Sequence, residues 1–240
     1  MRFVTIIFSL LAGLSAGAQE DAAKTVRVDL MPVSLGDSLA TWYLNHGEVV
    51  KLEAFVSAMG TPVFYRGPQT LALYAKPEDA RPRKEGEAAV PPLATVTLPS
   101  GSRRTLLLFM PGKDGKPQLR AYGVDDSSLR GGDYRVYNFA PVAVSGRMGE
   151  RKIQLKPGQT ADISTPAWRD AGVDLEVELG YNRGGKEEIV YSTIWSHFPE
   201  RRNYIFILPT GSATSPLEPR KFHDVPAVKS LGYVAETGSQ

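Results

Sequence analysis

Apolar and polar residues alternate in short runs along most of this chain. Val26, Val28 and Leu30 are interleaved with Arg27 and Asp29, the period-two pattern of a strand with one buried face. Leu93 to Leu98 is rich in β-branched residues and stops at Pro99-Ser100-Gly101, which reads as a strand followed by a turn. Thr105-Leu106-Leu107-Leu108-Phe109-Met110 has almost no polar relief, so it predicts a central strand covered on both faces. Lys113-Asp114-Gly115-Lys116 places Asp-Gly where a tight hairpin turn needs positive φ, with Gln118 to Tyr122 returning. A second hairpin runs from Val173 to Leu179, through Asn182-Arg183-Gly184-Gly185, to Glu188–Trp195. Its alternation turns Val173, Leu175, Val177 and Leu179 inward and Asp174, Glu176 and Glu178 into water.

Two segments stand apart. Val49, Leu52, Val56 and Met59 recur at helical spacing, while Val50, Leu52, Ala54 and Val56 alternate; the strand reading is preferred because the neighbours are strands. Lys76 to Pro92 carries Pro77, Pro82, Pro91 and Pro92 and is expected to be an exposed, mobile loop.

The pattern predicts an all-β protein of two sandwich-like (Ig-like) halves with antiparallel sheets. Arg103-Arg104 followed by an apolar strand ending at Pro111 is echoed by Arg201-Arg202 and a strand ending at Pro209. The spacing is close to one sandwich domain and suggests a tandem duplication. The expected organisation is a signal peptide over 1–18, sandwich halves over 19–125 and 126–226, and a flexible tail over 227–240.

The N-terminus sets the compartment. Met1-Arg2, the apolar run from Phe3 to Leu14 and the triplet Ala16-Gly17-Ala18 are the three regions of a secretory signal. The run is shorter than the ~20 residues of a spanning helix, so the chain is expected to be exported, periplasmic or extracellular, and not membrane-spanning after cleavage. With no cysteine, disulfides and thiolate metal sites are excluded. A formal charge of +2 with scattered basic residues does not call for nucleic acid.

Several segments, taken in order, carry a resemblance. They are Phe64-Tyr65-Arg66-Gly67-Pro68 with Leu71 to Tyr74; Ala94 to Pro99 leading into Leu106 to Leu108; and Asp125-Asp126-Ser127 before Gly132-Asp133-Tyr134-Arg135 and Asn138. Leu155-Lys156-Pro157-Gly158-Gln159 follows, then Trp195 before Pro199-Glu200-Arg201-Arg202. Over Val26 to Pro226 the chain resembles an uncharacterised group of exported bacterial β-rich proteins. The resemblance implies export and a β-rich fold, and brings no activity with it.

Candidate chemistry is sparse. Outside the expected signal peptide, where Gly13-Leu14-Ser15-Ala16-Gly17 falls, no G-x-S-x-G elbow occurs, and the histidines are His46, His197 and His223. His197 reads as structural, and His223-Asp224 as part of a solvated C-terminal stretch. Asp125-Asp126-Ser127-Ser128 lacks the order of a Ca²⁺ loop and reads as a turn. No metal site, catalytic residue or cofactor is expected. Tyr191, Thr193 and Trp195 share one strand face, with Arg201 and Arg202 following. These aromatics and guanidinium groups could form a platform for a sugar ring or acidic polymer. The function expected from the sequence is non-catalytic binding or assembly at the cell surface, with an envelope protein or glycan as partner. The alternative is a carbohydrate-binding module using Tyr191, Trp195, Arg201 and Arg202.

Overall fold

The computed structural model of the protein describes residues 25–84, 86–124, 127–164, 172–212 and 216–226. The expected signal peptide, the 227–240 tail and Asp125-Asp126 lie outside the described residues. The first half holds β1 (Thr25–Ser34), β2 (Leu39–Asn45), β3 (Glu48–Ala54), β4 (Val63–Pro68), β5 (Thr70–Leu73), α1 (Pro77–Ala80), β6 (Ala94–Thr97), β7 (Arg104–Met110) and β8 (Gln118–Val124). The second holds β9 (Tyr134–Asn138), β10 (Val144–Met148), β11 (Arg151–Leu155), β12 (Thr160–Ile163), β13 (Asp174–Arg183), β14 (Lys186–Ser196), β15 (Arg202–Pro209) and β16 (Leu217–Asp224).

The pairings of the first half recur in the second. One sheet runs β4-β1-β7-β8 and its counterpart runs β12-β9-β15-β16. The other sheet of the second half runs β11-β10-β13-β14, and in the first half the ribbons β2-β3 and β5-β6 are joined by an antiparallel bridge between Trp42 and Tyr74. The expectation of purely antiparallel sheets is corrected: β1 pairs with β7, and β9 with β15, in parallel. Between these partners the chain leaves for the other sheet and returns, so it re-enters beside its first strand in the same direction. Local alternation reports which face a strand buries but not the direction of its neighbour, which is why the sequence did not reveal this.

Three cores follow from this layout. Val28, Leu30, Tyr43, Leu52, Leu71 and Leu107 belong to one, drawn from both sheets of the first half. Val136, Val144, Leu155, Val177, Trp195 and Ile205 belong to the equivalent core of the second. A third core lies between the halves, where Met31, Val33, Leu106 and Leu108 meet Tyr137, Tyr204, Phe206 and Phe222. The strands β7 and β15 are thus buried on both faces, as the unbroken apolar run beginning at Thr105 requires.

Equivalent residues reach across the junction in reciprocal fashion. Leu35 and Phe139 each follow the first strand of their half and donate their N–H to the carbonyl of Phe109 and Ile207, at 2.8 and 2.9 Å. Arg120 of β8 lies over the Phe139 ring at 5.3 Å, and Arg220 of β16 donates from Nη1 to the Leu35 carbonyl at 3.0 Å. Contact i to j matched by j to i is the pattern of a two-fold interface.

The turns obey local chemistry. Arg183 pairs with Lys186, leaving Gly184 and Gly185, at φ 60° and 89°, as a two-residue loop; two positive φ values are what a twist-matched hairpin needs. At the expected Asp-Gly hairpin, Asp114 and Gly115 do have positive φ, but the last pair is Met110 with Gln118. The loop is longer than expected because Pro111 and Pro117 cannot donate to the ladder. The ambiguous stretch is strand through Ala54 and then leaves the sheet. The Pro-rich segment carries the single turn α1, whose Ala80 is buried, and Glu87 accepts hydrogen bonds from Arg81, Arg83 and the Lys84 N–H.

Candidate functional site

The residues singled out by sequence meet at one rim of the second half, though not as an open platform. Tyr191 and Trp195 lie on β14, opposite Leu179 and Leu175 of β13. Alternation turns them toward the core, where Trp195 is 8% exposed. Its Nε1 donates to the Tyr191 hydroxyl at 3.2 Å, and the two rings are tilted with centroids 6.3 Å apart. Trp195 is therefore a core residue whose indole N–H is already used.

The two arginines part company. Arg202 opens β15 and is fully buried; its Nε donates to Asp224 Oδ1 at 3.0 Å, and a second donation runs from its Nη2 to Oδ2. Arg201, one residue earlier, faces the opposite side. Its guanidinium lies 4.1 Å from the centre of the exposed Phe198 ring, and its Nε is 3.7 Å from Glu200.

What sequence reasoning missed is β16. His223-Asp224 is not in a loose stretch: Asn203 pairs with His223 and Ile205 with Lys221. Strand alternation sends Phe222 and Asp224 into the junction and Lys221 and His223 to the other face, so His223 and Asp224 cannot act as an imidazole–carboxylate pair. The available signal is the alternation of Lys221, Phe222, His223 and Asp224 itself. Lys221 Nζ lies 5.0 Å from the centre of the Trp195 ring. Among the described residues it has no hydrogen bond or ion pair.

The electrostatics agree with this geometry. Partial burial lowers the Lys221 ammonium pKa, and Arg201 lowers it further. His223 is also lowered, first by burial, then by Arg201 and Lys221, against the opposing pull of Asp224 and Glu200. Like charges are gathered here with one exposed carboxylate, Glu200, on the same rim. The first half keeps one of the three cations: Arg103 stands where Arg201 does, but the matching register places Ala121 beside Leu107 and Gly123 beside Thr105.

His197 is buried, with Nδ1 2.8 Å from the Tyr134 hydroxyl and the two rings stacked. Burial raises the Tyr134 phenol well above its ordinary range. Ser127 and Ser128 follow the undescribed Asp125-Asp126. Among the described residues no group of three or more His, Asp or Glu could hold a metal ion, and no helix is long and apolar enough to cross a membrane. The chain matches no protein-family model and none of the curated proteins.

Proposed function

We propose that this chain is an exported, non-catalytic protein of the envelope or extracellular space that binds or assembles with another cell-surface component. The observation that carries this reading is the rim formed by Arg201, Lys221 and His223. At the same register the first half keeps Ala121 and Gly123, so the fold is served there by small, neutral residues. Three cations held close together at an edge where the first half keeps one, Arg103, have a use outside the fold.

The architecture is that of two Ig-like sandwiches descended from one duplicated unit. The recurring strand order and the reciprocal Arg120 and Arg220 contacts support this. Stacking of sugars on Tyr191 and Trp195 has less support, because Trp195 is in the core and Arg202 is spent on Asp224.

In-cell crosslinking after envelope fractionation, followed by mass spectrometry, tests the reading. Reproducible capture of a surface protein or glycan that depends on Lys221 and Arg201 is the expected result. Recovery from the cytosolic fraction, or as a free monomer with no crosslinked species, would refute it.

A further inference from the structure

We propose that Arg201, Lys221 and His223 form a binding site for the oxyanion groups, carboxylate or sulfate, of an acidic glycan. This inference rests on the reading of that rim as a recognition surface and adds the ligand class.

Three features of the rim define the ligand. First, Lys221 and His223 lie two apart on one face of β16, and the register places them beside Ile205 and Asn203 of β15. Arg201 precedes β15, and its charge acts on both Lys221 and His223, so the three cations gather at one place. Second, the aromatic rings fix the cations without neutralising them. Lys221 spans the Trp195 ring and Arg201 lies over Phe198, and a cation over a ring face keeps its charge and its remaining N–H donors. Third, the acids nearby do not close the site. Glu200 is exposed and 3.7 Å from Arg201, while Asp224 points into the junction and is held there by Arg104 and Arg202. An incoming oxyanion gains charge-assisted hydrogen bonds from up to three donors. The exposed Phe198, 41% accessible, offers apolar contact beside them for a pyranose ring.

Anion binding would favour the charged form of His223, whose protonation is opposed by Arg201 and Lys221 and favoured by Glu200 and Asp224. Binding should therefore tighten as pH falls through the His223 titration, and the bound anion should raise that titration.

The test is a titration of the full mature chain with sulfate and with an oligogalacturonate at constant ionic strength, reading the His223 ring by NMR. A neutral glucan oligosaccharide serves as control. The expected result is a saturable His223 shift with the oligogalacturonate, stronger at pH 5.5 than at 7.5, and none with the glucan. Lys221→Met, which keeps the cover over Trp195, and Arg201→Gln should each weaken binding about tenfold or more. Lys152→Met, on the distant edge strand β11, should leave it unchanged. No His223 shift with the oligogalacturonate, or equal loss in Lys152→Met, would overturn the proposal. Capture of a protein partner in cells alongside a silent His223 would overturn this inference while leaving the surface-binding reading intact.

Discussion

Arg104, the first residue of β7, donates from Nη1 to Asp224 Oδ2 at 3.1 Å, and so ties the first half to the last strand of the second. Arg202 opens β15 at the equivalent position and binds the same carboxylate. In the register where Arg202 meets Asp224, Arg104 meets Val124. One acid thus serves the matching arginines of both halves. It does so where the carboxylate side chain is 5% exposed and the Arg202 side chain is fully buried.

Asp224→Asn should accordingly be among the most damaging single substitutions. Removing one member of a buried ionic cluster leaves charge without compensation, which costs about 3–5 kcal/mol. Urea unfolding should show the midpoint falling by that equivalent. Asp224→Val, which copies the residue of the first half, should do no better, because it leaves Arg104 and Arg202 without the carboxylate they share. A change near zero would mean that the arginines find other partners.

Trp195→Ala tests whether that ring belongs to the core or to an open surface. Deleting a buried indole costs about 3–5 kcal/mol, and here the Tyr191 hydroxyl also loses its donor. Trp195→Phe should recover most of the stability. Thermal unfolding of the two variants separates the readings: a fully stable Trp195→Ala protein would place the ring outside the core.

The fold was largely legible because strand patterning is local. Leu175, Val177 and Leu179 are buried as their alternation required, and the unbroken run starting at Thr105 is a strand covered on both faces. The echo of Arg103-Arg104 in Arg201-Arg202 marked equivalent strands. Parallel pairing of β1 with β7 was not legible, since it depends on the path of the chain between them. The site was legible only in part. Trp195 and Arg202 were chosen for chemistry their burial has already consumed. For Lys221 and His223 the local signal is the short alternation from Lys221 to Asp224, which does not by itself say that β15 will hold that segment in a sheet.

The loop that covers β2 and β3 should resist acid. Glu87 is lowered from its ordinary value of 4.5 to about 2, chiefly by its hydrogen bond from Arg81 and then by the Lys84 N–H. Because the folded value lies below the ordinary one, the clasp is fully present above the ordinary value. It is lost as pH falls toward about 2. An NMR titration of the Glu87 carboxyl carbon should show a midpoint well below 4 in the wild type. In Arg81→Gln it should return toward the ordinary glutamate range; an unchanged midpoint would remove Arg81 as the cause.

The two halves should unfold as one cooperative unit. Phe206 is buried between them, stacked on Tyr137 at 5.1 Å and on Phe139 at 6.0 Å, in a core that also holds Met31, Leu106 and Leu108 of the first half. Phe206→Ala removes packing shared by both sides and should cost about 3–5 kcal/mol. If the junction core couples the halves, amide exchange should then quicken by a similar factor in β1 and β7 as in β9 and β15. Acceleration confined to the second half, or two separate unfolding transitions, would show that each half is stable by its own core alone. In that case the Arg104–Asp224 contact would be a docking feature and not part of what keeps either half folded.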